Sequence, residues 1–184
     1  MYEFKNIQNR NITTGSWATE ESAHRALVDF LQKTGLFYIY REVRGKPLNT
    51  CHFKQYHGFR ADILALPSEK LMSTGWNSGA LIFEVKRPGE KIGPAISQLL
   101  DYLHSAWFIV GGVAIVPTYA FVFSAINQAE AIGSVMAQNH IGTSQIINGL
   151  LQLYCGNQLV MRVWQNGMID RIGSHSFGNK TGSR

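Results

Sequence analysis

The segment Leu81–Lys86, with the sequence LIFEVK, constrains the fold more than any other part of the chain. Its large apolar residues predict a β-strand, and an acid and a base interrupt the pattern near its end. Side chains of a strand alternate between two faces, so the apolar residues at odd positions share one face. Glu84 and Lys86 share the other face with Ile82. The pattern therefore predicts a strand that holds a carboxylate and an ammonium group side by side.

A second predicted strand, Phe59–Leu66, carries another carboxylate, Asp62, among residues that are otherwise mostly apolar. The segment Pro67–Gly79, which separates it from a strand at Ala80–Lys86, is rich in residues that favour turns. We expect the two strands to pair in antiparallel fashion. Such pairing brings the carboxylate of Asp62 against that of Glu84.

Other patterns predict elements before and after these strands. A Thr cap, acidic residues in the first turn and apolar residues at helical spacing predict a helix from Thr19 to Gly35. Pro94 and a second apolar stripe predict another helix, which ends near His104. The expected order is helix, three strands, helix, strand. The other expected segments are a strand at Leu36–Val43, a loop at Arg44–Gly58, a buried strand at Gly111–Val116 and a helix at Ala125–Gln138.

A chain of 184 residues is long enough for one domain with a substantial core. We expect this core over residues 17–120. A C-terminal extension over 121–172 contains apolar segments at Ile146–Tyr154 and Leu159–Trp164. The residues 173–184 are rich in Gly, Ser and Asn, and we expect them to be a disordered tail.

The two carboxylates and the lysine suggest a chemistry. Asp62 and Glu84 would repel each other at close range, and a hard cation such as Mg²⁺ between their oxygens relieves this repulsion. Such a cation polarises a phosphate and activates water, while Lys86 can orient that water or neutralise developing charge. Taken singly, each residue has a structural explanation. Asp62 alone fits a strand end, and Glu84 with Lys86 fits an ion pair on a solvated strand face.

The combination of Asp62, Glu84-Val85-Lys86 and a following helix that bears Gln98 resembles the PD-(D/E)xK nuclease superfamily. The resemblance covers about Thr19 to Pro117. It implies an α/β fold with a restriction-endonuclease-like αβββαβ core, whose mixed central sheet is flanked by helices. It also implies a metal-dependent DNA nuclease that uses Mg²⁺ or Mn²⁺, with Asp62 and Glu84 as metal ligands and Lys86 assisting the nucleophile. Ala61 stands where the motif has proline.

Gln98 and Tyr102 are four residues apart, so they lie on the same side of the second helix. We expect this side to face away from the stripe that contains Leu99. The spacing resembles the Gln-x-x-x-Tyr element of the RecB- and Cas4-like branch, which implies that Gln98 supports catalysis and that Tyr102 contacts DNA. A solvated Gln98 and a Tyr102 that covers the helix edge are the structural alternative. The cysteine ligands of the Cas4-like cluster are absent from the sequence, so we expect no iron–sulfur cluster.

Two residues of the first helix, Glu20 and His24, are also four apart and border its apolar stripe. The resemblance implies that either of them reaches the metal. The alternative is that Glu20 only complements the helix macrodipole.

The net charge of +5 suits a polyanionic partner. Phosphate contacts by basic residues would position DNA without reading its sequence. Their structural alternative is a solvated edge that protects strands from aggregation. The candidate residues are Arg44, Lys46, Lys54, Arg60, Arg87 and Lys91.

No apolar run is long enough to cross a bilayer, and the amino terminus is polar, so we expect no membrane partner and a cytoplasmic location. Cutting two strands requires two active sites, which predicts a homodimer. The expected setting is a free-standing nuclease of phage, mobile-element or repair origin. A non-catalytic DNA-binding or assembly module with this fold and an RNA-directed nuclease are the alternative functions.

Overall fold

The computed structural model describes residues 17–48, 58–76, 79–87, 90, 92–123, 136–156 and 158–171. These residues form an α/β structure in which helices pack against one mixed sheet. The helices are α1 (Glu20–Thr34), α2 (Glu69–Met72) and α3 (Ile92–Leu103). The strands are β1 (Phe37–Pro47), β2 (Phe59–Pro67), β3 (Leu81–Val85), β4 (Ser105–Phe108), β5 (Ala114–Ile115), β6 (Tyr119–Phe123), β7 (Ile141–Ile147), β8 (Leu150–Cys155), β9 (Gln158–Trp164) and β10 (Ile169–Arg171).

The sheet has the strand order β10-β9-β8-β7-β6-β3-β2-β1-β4-β5. Its pairs are antiparallel except at the centre, where β3 pairs with β6 and β6 with β7 in parallel. The predicted antiparallel pairing of β2 with β3 is confirmed. The mixed character of the sheet is confirmed as well.

Helix α1 begins and ends where the sequence predicts. The side chain of Thr19 accepts a hydrogen bond from the backbone N–H of Ser22, and the side chain of Ser22 accepts one from the backbone N–H of Thr19. Gly35 ends the helix with φ of 64°, a conformation that glycine adopts at little cost. The buried face of α1, which includes Leu27 and Leu31, packs on one side of the sheet.

Helix α3 packs on the opposite side of the sheet. Ala95, Leu99 and Tyr102 are buried there against Ile82 and neighbouring strands. The odd-numbered residues of β3 belong to the cluster under α1. The sheet is therefore covered on both faces, which explains why all five residues of β3 are buried.

The predicted loop at Arg44–Gly58 begins too early, because β1 continues to Pro47. The extra residues pair with both β2 and β4. Gly45 permits this, since a Cβ atom there would lie 2.7 Å from the ring of Trp107. Close packing against a residue distant in sequence thus extends the strand. Residues 49–57 lie outside the described part of the chain.

The prediction of a buried strand at Gly111–Val116 is wrong. Gly111 and Gly112 have φ of 89° and 76° and form a turn, while Ala114, in the short edge strand β5, is exposed. The buried strand after α3 is β6, which the sequence reading missed. Both segments are apolar, and only pairing with β3 and β7 distinguishes the central strand.

The predicted C-terminal extension continues the same sheet. Its apolar segments form the β7–β8 hairpin and β9, and the boundary expected at residue 120 falls inside β6. Most of the helix predicted at Ala125–Gln138 and the tail at 173–184 lie outside the described residues. In the part of the chain described, no helix is long and apolar enough to cross a membrane.

Gly142 provides a test of this extended sheet. A Cβ atom at Gly142 would overlap the carbonyl oxygen of Tyr154 and approach the ring of Phe121. We expect Gly142→Ala to lower the free energy of unfolding by about 1–3 kcal/mol, the usual cost of overpacking. Denaturant unfolding measures this loss. Gly93→Ala is the control, because open space surrounds its Cβ position and alanine favours a helix. Equal stability of the two variants would contradict the packing of β7 against β6 and β8.

Candidate active site

Strands β2 and β3 part next to Asp62. The last step of their ladder pairs Ile63 with Phe83, so continuing the register by one residue places Asp62 opposite Glu84. There, Oδ2 of Asp62 accepts a hydrogen bond from the backbone N–H of Val85 at 2.7 Å. A side-chain carboxylate therefore replaces a backbone carbonyl as the acceptor, which fixes Asp62 beside the end of β3.

The neighbouring strand β1 is irregular at the same level. Tyr40 and Val43 both pack into the cluster under α3, although strict alternation would put residues three apart on opposite faces. Glu42, with φ of 51°, supplies the break, and its carboxylate pairs with Nε of Arg60 at 2.9 Å. The sequence reading missed Glu42 as a neighbour of Asp62. The strand register that brings Glu42 close to Asp62 has no local sequence signal.

Glu84 is 5% exposed, and protein groups compensate both of its carboxylate oxygens. Oε1 accepts a hydrogen bond from Nζ of Lys86 at 2.6 Å. Oε2 lies 2.9 Å from the hydroxyl of Tyr102. Such partners are necessary because an unpaired buried charge is strongly unfavourable. Glu84 and Lys86, which directly follows β3, therefore form the side-by-side pair that the sequence predicts.

The electrostatics of the site centre on Asp62. The pKa of its carboxyl is raised from the ordinary 3.8 to about 6, first by burial and second by the nearby charge of Glu84. The hydrogen bond from Val85 opposes these effects, and Glu42 adds a second repelling charge. Ionised Asp62 is therefore an unfavourable group in the folded protein when no cation is bound.

Lys86 remains a cation in this environment. Its partial burial acts to lower the pKa of the amine, but the hydrogen bond to Glu84 and the charges of Glu84 and Asp62 outweigh this effect and raise the pKa above its ordinary value. The ammonium group can therefore donate hydrogen bonds and neutralise negative charge. It is not suited to accept a proton.

Tyr102 lies in the interior rather than on the outer side of α3. It is 1% exposed, which contradicts the expectation that it points away from the stripe containing Leu99 and does not fit a role in contacting DNA. The Gln98 amide donates to its hydroxyl, whose single hydrogen serves either Glu84 or the carbonyl of Arg60. Burial and the charge of Glu84 raise the pKa of Tyr102, so the phenol stays a donor. Gln98 and Tyr102 thus position Glu84.

The first-helix candidates lie near the site without joining the two carboxylates. Nε2 of His24 is 3.4 Å from the backbone carbonyl of Asp62, and a carbonyl only accepts, so this contact requires the hydrogen on Nε2. Glu20 is exposed, and its charge contributes to the raised pKa of Lys86. Across the described ranges, no group of three His, Cys, Asp or Glu side chains is placed to hold a metal ion.

The basic residues predicted to contact DNA differ in their surroundings: some are exposed, one is in an ion pair, and two lie outside the described residues. Arg44 and Lys46 are exposed on β1, and Arg87 is exposed after β3. Arg60 is exposed but pairs with Glu42. Lys54 and Lys91 lie outside the described residues. The described basic residues therefore leave a cationic surface along β1.

No protein-family model matches the chain, and no curated protein or solved structure matches it either. The oxygen donors of the site are Asp62 and Glu84, which are suited to hard divalent cations.

Asp62→Asn tests the electrostatics. Asparagine keeps an acceptor for the N–H of Val85 but cannot ionise. Because the folded pKa of Asp62 is raised to about 6, the stability associated with its protonated form is fully present below pH 3.8 and is lost as the pH rises through 6. Without metal, we expect the variant to gain stability over the wild type between pH 4 and pH 7, by up to about 3 kcal/mol.

Urea unfolding in EDTA at several pH values measures this difference. Asp29→Asn, at an exposed position of α1, serves as the matched control. A stability difference for Asp62→Asn that is the same at pH 4 and pH 8 would show that Asp62 is not destabilised by ionisation.

Proposed function

We propose that the chain is a metal-dependent DNA nuclease of the PD-(D/E)xK type. The observation that carries this proposal is the cluster at the end of β3, where Asp62 faces Glu84 across the strands and Lys86 contacts Glu84 at 2.6 Å. Two acids at one site can hold a divalent cation that activates water, and a lysine beside them can stabilise the charge that develops on a phosphate. A purely structural ion pair would explain Glu84 and Lys86 but not the unfavourable position of Asp62.

The arrangement of elements supports the same proposal. A restriction-endonuclease-like core has the order αβββαβ. The same order is found here in α1, β1, β2, β3, α3 and the central strand β6. Strands β1, β2, β3 and β6 are neighbours in the sheet, and α1 and α3 cover its two faces. The edge hairpin β4–β5 and strands β7–β10 would be additions to that core.

The donor set fits Mg²⁺ or Mn²⁺ rather than a soft metal. Asp62 and Glu84 would hold the cation through carboxylate oxygens. Its positive charge would remove the repulsion that raises the pKa of Asp62. When bound, a divalent cation supplies Lewis acidity toward phosphate and water. His24, which lies 3.4 Å from the backbone carbonyl of Asp62, and Glu20, whose charge acts on Lys86, are further candidate ligands.

The protein groups around this site have separate roles. Lys86 presents a permanent ammonium that stabilises the negative charge developing on the phosphate. Glu84 is oriented by Tyr102, which Gln98 orients in turn. Such support holds the carboxylate in place during the reaction. Tyr102 and Gln98 are accordingly positioning residues in this proposal.

One observation favours the alternative of a DNA-binding module that does not cut. Both oxygens of Glu84 already have protein partners, so the site is electrostatically compensated there without a cation. The raised pKa of Asp62 favours the nuclease, since nothing in a purely binding role requires that carboxylate. An RNA substrate would use the same chemistry and is an outcome of the same assay.

We expect the wild type to cleave DNA with Mg²⁺ or Mn²⁺ and to be inactive in EDTA. Asp62→Asn and Glu84→Gln should each lose at least about 100-fold in rate, because each removes a charge that holds the cation. DNA affinity in EDTA should persist, since loss of an acid reduces repulsion of phosphate. The assay compares linear duplex, single-stranded, flapped, four-way-junction and RNA substrates. Glu69→Gln, at an exposed acid of α2, is the control.

Cleavage in EDTA, or wild-type rates for both carboxylate variants, would refute the proposal. Metal-independent DNA binding without cleavage of any substrate would favour the non-catalytic module. Cleavage confined to RNA would retain the mechanism and change the substrate.

Lys86 should act in the chemical step more than in metal binding. We expect Lys86→Gln and Lys86→Arg to bind Mg²⁺ and DNA within a few-fold of the wild type but to cleave at least about 100-fold more slowly. Glutamine removes the charge, and the guanidinium fork of arginine does not fit where a compact ammonium is held. Calorimetry and single-turnover cleavage separate the two effects. Loss of Mg²⁺ binding by Lys86→Gln, or normal cleavage by Lys86→Arg, would disprove this role.

A further inference from the structure

The β4–β5 hairpin carries an exposed apolar tip. Its loop is closed by a hydrogen bond from the N–H of Ile109 to the carbonyl of Val113 at 3.1 Å, and Gly111 and Gly112 turn the chain with positive φ. Val110, at the tip, is 91% exposed, and Phe108 is 43% exposed. Apolar side chains that are exposed together on a hairpin indicate a surface that contacts a partner.

Strand β1 pairs with β4 from Gly45 to Pro47, and a groove of about 630 Å³ lies beyond this pairing, between residues 39–44 of β1 and residues 108–110 of the hairpin. Arg41 and Arg44 line the groove together with Phe108 and Val110. Nζ of Lys46 lies 5.9 Å from the centroid of the Phe108 ring, a cation–π arrangement. The acid that lines the groove, Glu42, is paired with Arg60. The groove therefore combines cations with apolar surface, a combination that suits nucleic acid.

The groove is close to the candidate active site. Arg41 and Val43 pair with Ile63 and Ala61, the two neighbours of Asp62. Adjacent strands are about 5 Å apart, so the hairpin, one strand beyond β1, is roughly 10 Å from the strand of Asp62. At about 3.4 Å per base-pair step, this distance corresponds to roughly three base pairs along a duplex.

We propose that the hairpin is a DNA wedge, in which Val110 and Phe108 insert beside bases two to four pairs from the cut while Arg41, Arg44 and Lys46 hold the flanking phosphates. This proposal rests on the proposed nuclease function and specifies its substrate class. Inserting apolar side chains requires unstacking, which costs least where bases are already unpaired. The preferred substrate is therefore flapped, branched or mismatched DNA.

Charge distinguishes DNA from a second copy of the chain as the occupant. A twofold contact places the same surface on both partners, so the surface with Arg41, Arg44 and Lys46 would lie against an identical cationic surface. Like charges across an interface oppose association. A polyanion is instead complementary to them.

The test uses a flapped duplex with 2-aminopurine at single positions near the branch, bound by the full-length protein in EDTA. We expect wild-type protein to raise the fluorescence, which reports unstacking, and to cleave flapped DNA faster than intact duplex when Mg²⁺ is added. Val110→Ser and Phe108→Ser should lose most of the fluorescence change and about 5- to 100-fold of that preference, as expected when apolar contacts with bases are removed. Met168→Ser changes an exposed apolar residue elsewhere and should behave as wild type.

Wild-type fluorescence and substrate preference in both hairpin variants would overturn the wedge while leaving the nuclease proposal intact. A light-scattering dimer that both variants convert to monomer, with DNA behaviour unchanged, would assign the hairpin to self-association and also overturn it. A wild-type protein that neither binds nor cleaves any DNA would refute the nuclease function itself. Circular dichroism verifies that each variant is folded.

Discussion

The position of α3 on the sheet and the geometry of the candidate active site depend on one buried carboxylate, that of Glu84. Glu84 occupies the end of a strand that is otherwise apolar and covered on both faces, where an unpaired charge would be strongly unfavourable. Lys86 reaches one oxygen and Tyr102 the other. Since Tyr102 belongs to α3 and its hydroxyl also meets the carbonyl of Arg60, compensating Glu84 fixes where α3 lies on the sheet. The same contacts that make burial tolerable also give the carboxylate a defined orientation.

The position of Asp62 combines a favourable hydrogen bond with unfavourable burial and charge repulsion. Its carboxylate substitutes for a backbone acceptor where β2 and β3 part, and this position brings it against Glu84 and near Glu42. The hydrogen bond from Val85 only partly offsets burial and repulsion. The folded protein thus maintains a site whose charge would be relieved by a cation, which is the physical basis of the function proposed here.

The irregularity of β1 connects this site to the surface proposed to contact DNA. At Glu42 the strand departs from regular alternation, and it diverges from the hairpin to leave the groove lined by Arg41 and Arg44. The carboxylates of the candidate active site and the cations of the groove therefore lie in adjacent parts of the sheet. A contact with phosphates in the groove would direct the backbone of a nucleic acid toward Asp62.

The sequence by itself determined the local elements and the contact between Glu84 and Lys86. The cap at Thr19, the apolar stripe of α1 and the shared face of Glu84 and Lys86 are short-range features, and short-range physics is sufficient for them. Tertiary structure decided which of the apolar segments near residues 111 and 121 became the central strand, that Tyr102 faces inward, and that Glu42 lies beside Asp62. These outcomes depend on strand register and on contacts between residues distant in sequence, for which the local pattern carries no information.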